Sequence, residues 1–304
     1  MSLVEQALKK MQAATTKPVA SLSSAAAPEA ASPIGRGVLS AAAEPPAQAP
    51  RERNTRVVAL NVAAFRAAGL LPPEHQARVI SQQFRQIKRP LIASALGHGA
   101  PALPQGNLIM VASALPGEGK TFTSINLALS LAKEKDVEVL LIDADVAKPH
   151  ISRMFGLADE DGLLDAVRDP DIDVEDLVVR TDQPSLSVLP AGRRSENATE
   201  LFSSARMESI ARQLSGPGKH RLIVLDSPPL MLTTESQALA QVAGQVVLVV
   251  RADVTGQQVV MDALRCLGDR PTSLILNQST SAAARGEYYY HGYGDHADGG
   301  ALPG

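Results

Sequence analysis

Tryptophan is absent from this 304-residue chain, and aromatic residues make up only 3% of it. Cysteine occurs once, as Cys266, so no disulfide can close within the chain. That excludes a disulfide-stapled scaffold and suits a reducing compartment. In its helical-looking stretch "MDALRCLGD", Cys266 reads as a small buried hydrophobe. Neither sign of charge is in excess: 29 Lys and Arg stand against 32 Asp and Glu, a formal net charge of -3. Non-specific attachment to a phosphate backbone needs a basic face, so nucleic acid is not an expected partner. No run approaches the ~20 apolar residues of a membrane span. The opening "MSLVEQALKKMQ" also lacks the continuous apolar core of a signal peptide. The expectation is a cytoplasmic protein, held at any membrane it serves by something other than itself.

What is present is unevenly distributed. Residues 1–12 place Leu3, Ala7, Leu8 and Met11 at helical spacing, with Ser2 and Glu5 set as a capping box, and predict a short amphipathic helix. Residues 13–55 turn to Ala, Pro and Ser, a linker composition too poor in large apolar residues to build a core. Residues 56–279 carry the candidate globular domain. Its first part, through about residue 100, is helical in pattern: "EHQARVISQQFRQIKRPLI" spaces Val79, Ile80, Phe84, Ile87 and Leu91 along one face. Arg78, Arg85, Lys88 and Arg89 lie between them, as a solvated face or as an interface that meets carboxylates on a neighbour.

From about residue 105, apolar runs alternate with helical patterns. "LIMVAS", "VEVLLIDAD", "RLIVLDSPP", "QVVLVVRAD" and "SLILNQ" read as buried parallel strands, since near-continuous hydrophobic strands belong to a sheet covered on both faces. The fold class predicted is α/β. Residues 280–304 form a Gly- and Ala-rich tail, and every tyrosine of the chain lies there: Tyr288, Tyr289, Tyr290 and Tyr293.

The sharpest chemical signal is "LIMVASALPGEGKTFTSINLALSLA". An apolar strand enters a turn with Pro116, Gly117, Glu118 and Gly119, then Lys120, Thr121 and Phe122 open an amphipathic helix. Glycines let successive backbone N–H groups wrap a phosphate, and the helix N-terminus adds its positive end. This is the context of a P-loop, with Lys120 reaching the β- and γ-phosphates and the Thr121 hydroxyl ligating magnesium. The first glycine of the usual pattern is Ala114 here. Asp143 and Asp145 in "VLLIDADVAKP" and Asp226 in "RLIVLDSPP" end apolar strands, where open α/β sheets bind ligands. Carboxylates at such positions are costly unless a cation or strong donors meet them. Thr121, Asp143 and Asp226 are the expected metal ligands, and Lys120, Asp143 and Asp145 the expected catalytic set. Asn277, ending "LILN", is placed at the adenine ring or as a strand cap.

These motifs together resemble the bacterial tyrosine kinases, over roughly residues 75–293. The Walker A loop is similar to "ALPGEGKT", the second aspartate motif to "LLIDADVAK", the Walker B motif to "IVLDSPP" and the tyrosine cluster to "YYYHGY". The opening segment and "DADVAKPH" look more narrowly like the autokinases of exosortase and exopolysaccharide loci. The resemblance implies a P-loop NTPase fold, ATP and magnesium, and autophosphorylation of the tail. It also implies a membrane-bound polysaccharide copolymerase of the chain-length-determinant type, a cognate phosphatase and a ring-shaped homo-oligomer. Two positions depart from the family: Ala147 replaces an arginine, with Lys148 following, and the interface motif is reduced to Gln82, Arg85 and Lys88.

The resemblance gives the tyrosines a purpose. A phenol with pKa near 10 is a weak nucleophile at neutral pH and needs in-line positioning with a carboxylate nearby. Asp145 is assigned that role as the acid left unmatched once Thr121 and Asp226 serve the metal. Each phosphate adds roughly -1.5 to -2 charge, so four add about -6 to -8 to one short tail and favour its release from a ring. A partition or positioning ATPase shares fold and motif order, but Leu115 stands where those proteins carry an extra lysine, and the tyrosines have no role in it.

Overall fold

The structure, a computed structural model, describes residues 56–97, 101–216 and 220–279. The helix expected over 1–12, the linker over 13–55 and the tyrosine tail over 280–304 lie outside the described residues.

Eight strands form one sheet: β1 (Val57–Val58), β2 (Leu108–Ser113), β3 (Glu138–Asp143), β4 (Val179–Thr181), β5 (Leu186–Leu189), β6 (Arg221–Asp226), β7 (Gln245–Arg251) and β8 (Thr272–Asn277). Their order is β1-β4-β5-β3-β6-β2-β7-β8. All neighbours are parallel except β4 and β5. The five longer strands are those the apolar runs predict. β1, β4 and β5 are two to four residues long, too short to show a pattern of their own.

Alternation along the central strands divides the core. Leu108, Met110 and Ala112 of β2 face one apolar cluster, and Ile109 and Val111 face another. The second cluster is covered by α1 (Val62–Ala67), α2 (Ala77–Leu96), α3 (Lys120–Leu131) and the short α4 (His150–Met154). The first is covered by α5 (Leu163–Arg168), α6 (Ala198–Phe202), α7 (Ala205–Ser215), α8 (Thr234–Val242) and α9 (Gln257–Leu267). Burial on both faces explains why β2 shows no polar alternation and why its six residues are all buried. Cys266 on α9 is half-buried rather than interior.

Helix α2 packs along α3 and corrects one reading. Lys88 is neither solvated nor free for a neighbouring copy. Its Nζ lies 2.6 Å from the Ser130 carbonyl oxygen and 2.6 Å from Glu134 Oε1, and the residue is 7% exposed. A buried ammonium is tolerable only with such partners. The carbonyl belongs to the last turn of α3, where the helix dipole favours a cation. The same contact pins α2 over the helix that starts at the phosphate loop.

Candidate active site

The loop between β2 and α3 is held by Asn277 and by Glu118 itself, with Thr255 as a partner that carries no signal in the sequence. Gly117 and Gly119 adopt φ of +79° and +96°, a region that favours glycine. A Cβ at Gly119 would sit 2.0 Å from Asn277 Nδ2, so the close approach also needs glycine. Asn277, at the end of β8, donates from Nδ2 to the Glu118 carbonyl at 2.8 Å. It lines the cavity, and its amide nitrogen clamps the loop. Glu118 is 2% exposed and its carboxylate is used inside the fold. Oε2 accepts from the Leu115 N–H at 2.7 Å, and Oε1 accepts from the Thr255 hydroxyl. Expected among the cofactor contacts, Glu118 therefore has only its backbone left for a ligand. Phe122 lines the cavity and also packs on Phe84, ring centroids 6.3 Å apart.

Strand order brings the aspartates together. Asp143 and Asp226 are register partners at the carboxyl ends of β3 and β6. Asp226 Oδ2 accepts from the Thr121 hydroxyl at 2.9 Å and Oδ1 from the Ser124 hydroxyl at 2.8 Å. Asp143 Oδ2 accepts from both the N–H and the hydroxyl of Ser152, each at 2.8 Å. Among the described residues, Asp143 Oδ1 is the buried side-chain polar atom with no hydrogen-bond partner. Asp145 has a partner after all: its Oδ2 lies 3.0 Å from Lys120 Nζ, and Oδ1 accepts from the Lys148 N–H at 3.1 Å. Asp145 is thus matched within the fold, by an ion pair across the phosphate loop. Ser124 and Ser152 are part of the site and carried no sequence signal.

The charges are out of balance. Burial, reinforced by neighbouring Asp226 and opposed by the Ser152 hydrogen bonds, pushes the Asp143 carboxyl up to about 7. Burial also raises Asp226, against the pull of Lys120 and of the Ser124 and Thr121 hydroxyls. At Lys120, burial works to lower the pKa, but Asp226 and Asp145 outweigh it and hold the ammonium above its usual range. Three carboxylates share one lysine, so the pocket floor is short of positive charge. The Thr121 hydroxyl, Asp226 and the orphaned Asp143 oxygen fit a hydrated divalent cation. Among the described residues no cluster of three or more His, Cys, Asp or Glu forms a metal cage. Magnesium beside a nucleotide needs none, since phosphates and water supply most of its ligands.

Above this floor lies a cavity of about 1200 Å³. Gly117, Gly119, Lys120, Asp145, Pro228, Pro229 and Asn277 are among the residues that line it.

A glycine loop entering a helix from a parallel strand, with carboxylates ending two neighbouring strands, defines a P-loop nucleotide-binding protein of the α/β class. Residues 106–268, just over half of the chain, match the family described as an AAA domain. The solved kinase domain of VpsO is 31% identical, with a TM-score of 0.56, and the match covers 68% of this chain and 100% of that one. The BceF tyrosine kinase domain has a TM-score of 0.56 at 24% identity, covering 71% of this chain and 86% of that one, a likeness of fold. Tyrosine-protein kinase YwqD of Bacillus subtilis strain 168 is 29% identical over 71% of this chain and 87% of its own length. Tyrosine-protein kinase ptk of Acinetobacter johnsonii is 29% identical over 62% of this chain, which spans only 25% of that relative. The chain belongs to the bacterial tyrosine kinase family. No helix among the described residues is long and apolar enough to cross a membrane.

Proposed function

We propose that this protein is an ATP-dependent protein-tyrosine autokinase that phosphorylates Tyr288, Tyr289, Tyr290 and Tyr293 of its own tail. The observation that carries the reading is the Lys120–Asp145 ion pair on the cavity floor, 3.0 Å long and beside the Thr121–Asp226 hydrogen bond. It joins the residue suited to hold phosphate to the residue suited to take a proton.

ATP is the substrate, and its phosphates fit the backbone N–H groups of Pro116–Thr121 other than the proline. Magnesium, held by Thr121 and Asp226 with Asp143 beside them, supplies charge neutralisation when bound. Lys120 turns from Asp145 to the phosphates and so frees that carboxylate. Asp145 then accepts the phenolic proton as the tyrosine oxygen bonds to the γ-phosphorus. The bond from that phosphorus to the bridging oxygen breaks, and ADP leaves with the bond's electron pair. Pro228 and Pro229 wall the site, their fixed backbone limiting water entry from that side.

The wider role follows from the resemblance to kinases of polysaccharide loci. The protein regulates exopolysaccharide chain assembly from the cytoplasmic side. A transmembrane copolymerase activates it, a phosphatase resets it, and copies of the chain associate while their tails are unmodified. Incubation of the purified chain with ATP and magnesium tests the reading. Phosphotyrosine formed alongside ADP supports it; ADP formed without phosphotyrosine, with the copolymerase's cytosolic segment also present, returns the positioning-ATPase reading.

A further inference from the structure

Asp143 is held through one oxygen only. Both hydrogen bonds to Oδ2 come from a single residue, the N–H and the hydroxyl of Ser152, while Oδ1 has no partner. Ser152 is the third residue of the short helix α4, where N–H groups lack a partner within the helix. Its N–H is spent on the carboxylate instead. The residue is 1% exposed and is not among those that line the cavity. It meets the site only through Asp143.

A hydroxyl carries one proton and two lone pairs, and it rotates to suit its neighbours. Here a third group removes that choice. The Ala191 N–H, just beyond β5, points at Ser152 Oγ from 3.0 Å. An N–H can only donate, so Oγ accepts there and its own proton goes to Asp143. The Ala191 N–H is in turn set by a braced turn. Buried Asp165 on α5 accepts from the N–H groups of Gly162 and Arg193, at 3.0 and 2.9 Å. The N–H groups of Leu163 and Leu164 donate to the carbonyls of Pro190 and Ala191, at 2.8 and 3.1 Å. Hydrogen bonds thus run from the 190–193 turn through Ser152 to Asp143, and neither the turn nor the serine belongs to a phosphate motif.

Two donors on one oxygen stop the carboxylate from turning over and leave the other oxygen for a cation. Partners of this kind orient a metal ligand and are often as necessary as the ligand itself.

We propose that Ser152 is a positioning residue for magnesium. Its N–H and hydroxyl fix Asp143 with Oδ1 free for the metal, and the Ala191 N–H keeps the hydroxyl proton directed at the carboxylate. The proposal rests on the reading of the pocket floor as a magnesium–nucleotide site, and it holds whatever group accepts the phosphate.

Binding of a fluorescent, non-hydrolysable ATP analogue to the full chain tests this without turnover. Kd is measured in chelator and in excess magnesium, and the ratio of the two reads how strongly metal and nucleotide are coupled. In the parent the ratio should lie well above one. Ser152→Ala should lower it about tenfold, the lower end of the effect usual for a partner of a metal ligand. Its Kd in chelator should stay within about twofold of the parent's, since no metal is there to position. Ser152→Cys, a weaker donor, should fall between the two. The Asp143→Asn background separates positioning from packing. There Ser152→Ala should change the ratio by less than about twofold, because the carboxylate it acts through is gone. A Ser152→Ala protein that melts earlier but keeps the parent's ratio overturns the proposal, since the serine would then serve packing alone. So does a loss of coupling that persists undiminished in the Asp143→Asn background. A parent whose Kd does not respond to magnesium would defeat the magnesium reading of the floor, and the proposal with it.

Discussion

Replacing Asp143 by asparagine should stabilise the metal-free, nucleotide-free protein, and more so as pH rises. The carboxyl is fully buried, and one of its oxygens has no partner. Its pKa lies near 7 against an ordinary 3.8. Between those values the unfolded chain has released the proton while the folded chain keeps it. Stability therefore falls as pH rises from about 4 to about 7, and the full deficit stands above pH 7. At about 1.4 kcal/mol per pH unit, the deficit is about 4 kcal/mol, an order-of-magnitude figure. Asparagine does not titrate and escapes it. Its single oxygen can accept from Ser152, but its amide nitrogen then occupies the orphaned position, which costs about 1–3 kcal/mol. The net gain at pH 8.5 is about 2 kcal/mol. For a domain of this size that is roughly 4–8 °C in Tm. At pH 4.5 the gain should vanish or reverse. Thermal unfolding by circular dichroism in chelator, at both pH values, reads the difference. A variant less stable than the parent at pH 8.5, or a difference independent of pH, would refute the reasoning. Magnesium with a non-hydrolysable ATP analogue should raise the Tm of the parent more than that of the variant.

Gly119→Ala puts a side chain where φ is +96° and Asn277 Nδ2 is 2.0 Å away. Nucleotide affinity should fall at least about tenfold, the equivalent of roughly 1.4 kcal/mol, measured by titration of a fluorescent ATP analogue. Unchanged affinity would mean that the loop does not depend on the Asn277 clamp. Asp145→Asn should lower the transfer rate by roughly 100-fold or more, while nucleotide affinity stays within a few-fold, as expected for a lost proton acceptor. Lys88→Met keeps the apolar stem but loses the contacts to Ser130 and Glu134. It should cost about 1–2 kcal/mol in urea unfolding. A stability equal to the parent's would show that the buried amine contributes nothing beyond its stem.

What the sequence reveals is what is local. The phosphate loop could be read because its glycines, lysine and threonine are contiguous and follow an apolar strand. The aspartates could be read as strand ends for the same reason. Their meeting could not, because Asp143 and Asp226 become register partners only when β6 inserts between β3 and β2. Thr255, which holds Glu118, comes from a distant part of the chain, and Ser152, which holds Asp143 from nine residues on, belongs to no motif. The burial of Lys88 is not legible in the sequence because its helical spacing sets it among arginines; which face of α2 meets α3 is decided by packing. β1, β4 and β5 went unseen because two to four residues carry no periodicity.

The central claim is transfer of phosphate to the tail. Peptide mass spectrometry after incubation of the intact chain with ATP and magnesium, beside a Lys120→Met control, tests it most directly. The account predicts phosphate on Tyr288, Tyr289, Tyr290 or Tyr293, and none in the control. A tail without phosphate in the active chain, under conditions where ATP is hydrolysed and the copolymerase segment is supplied, would contradict it.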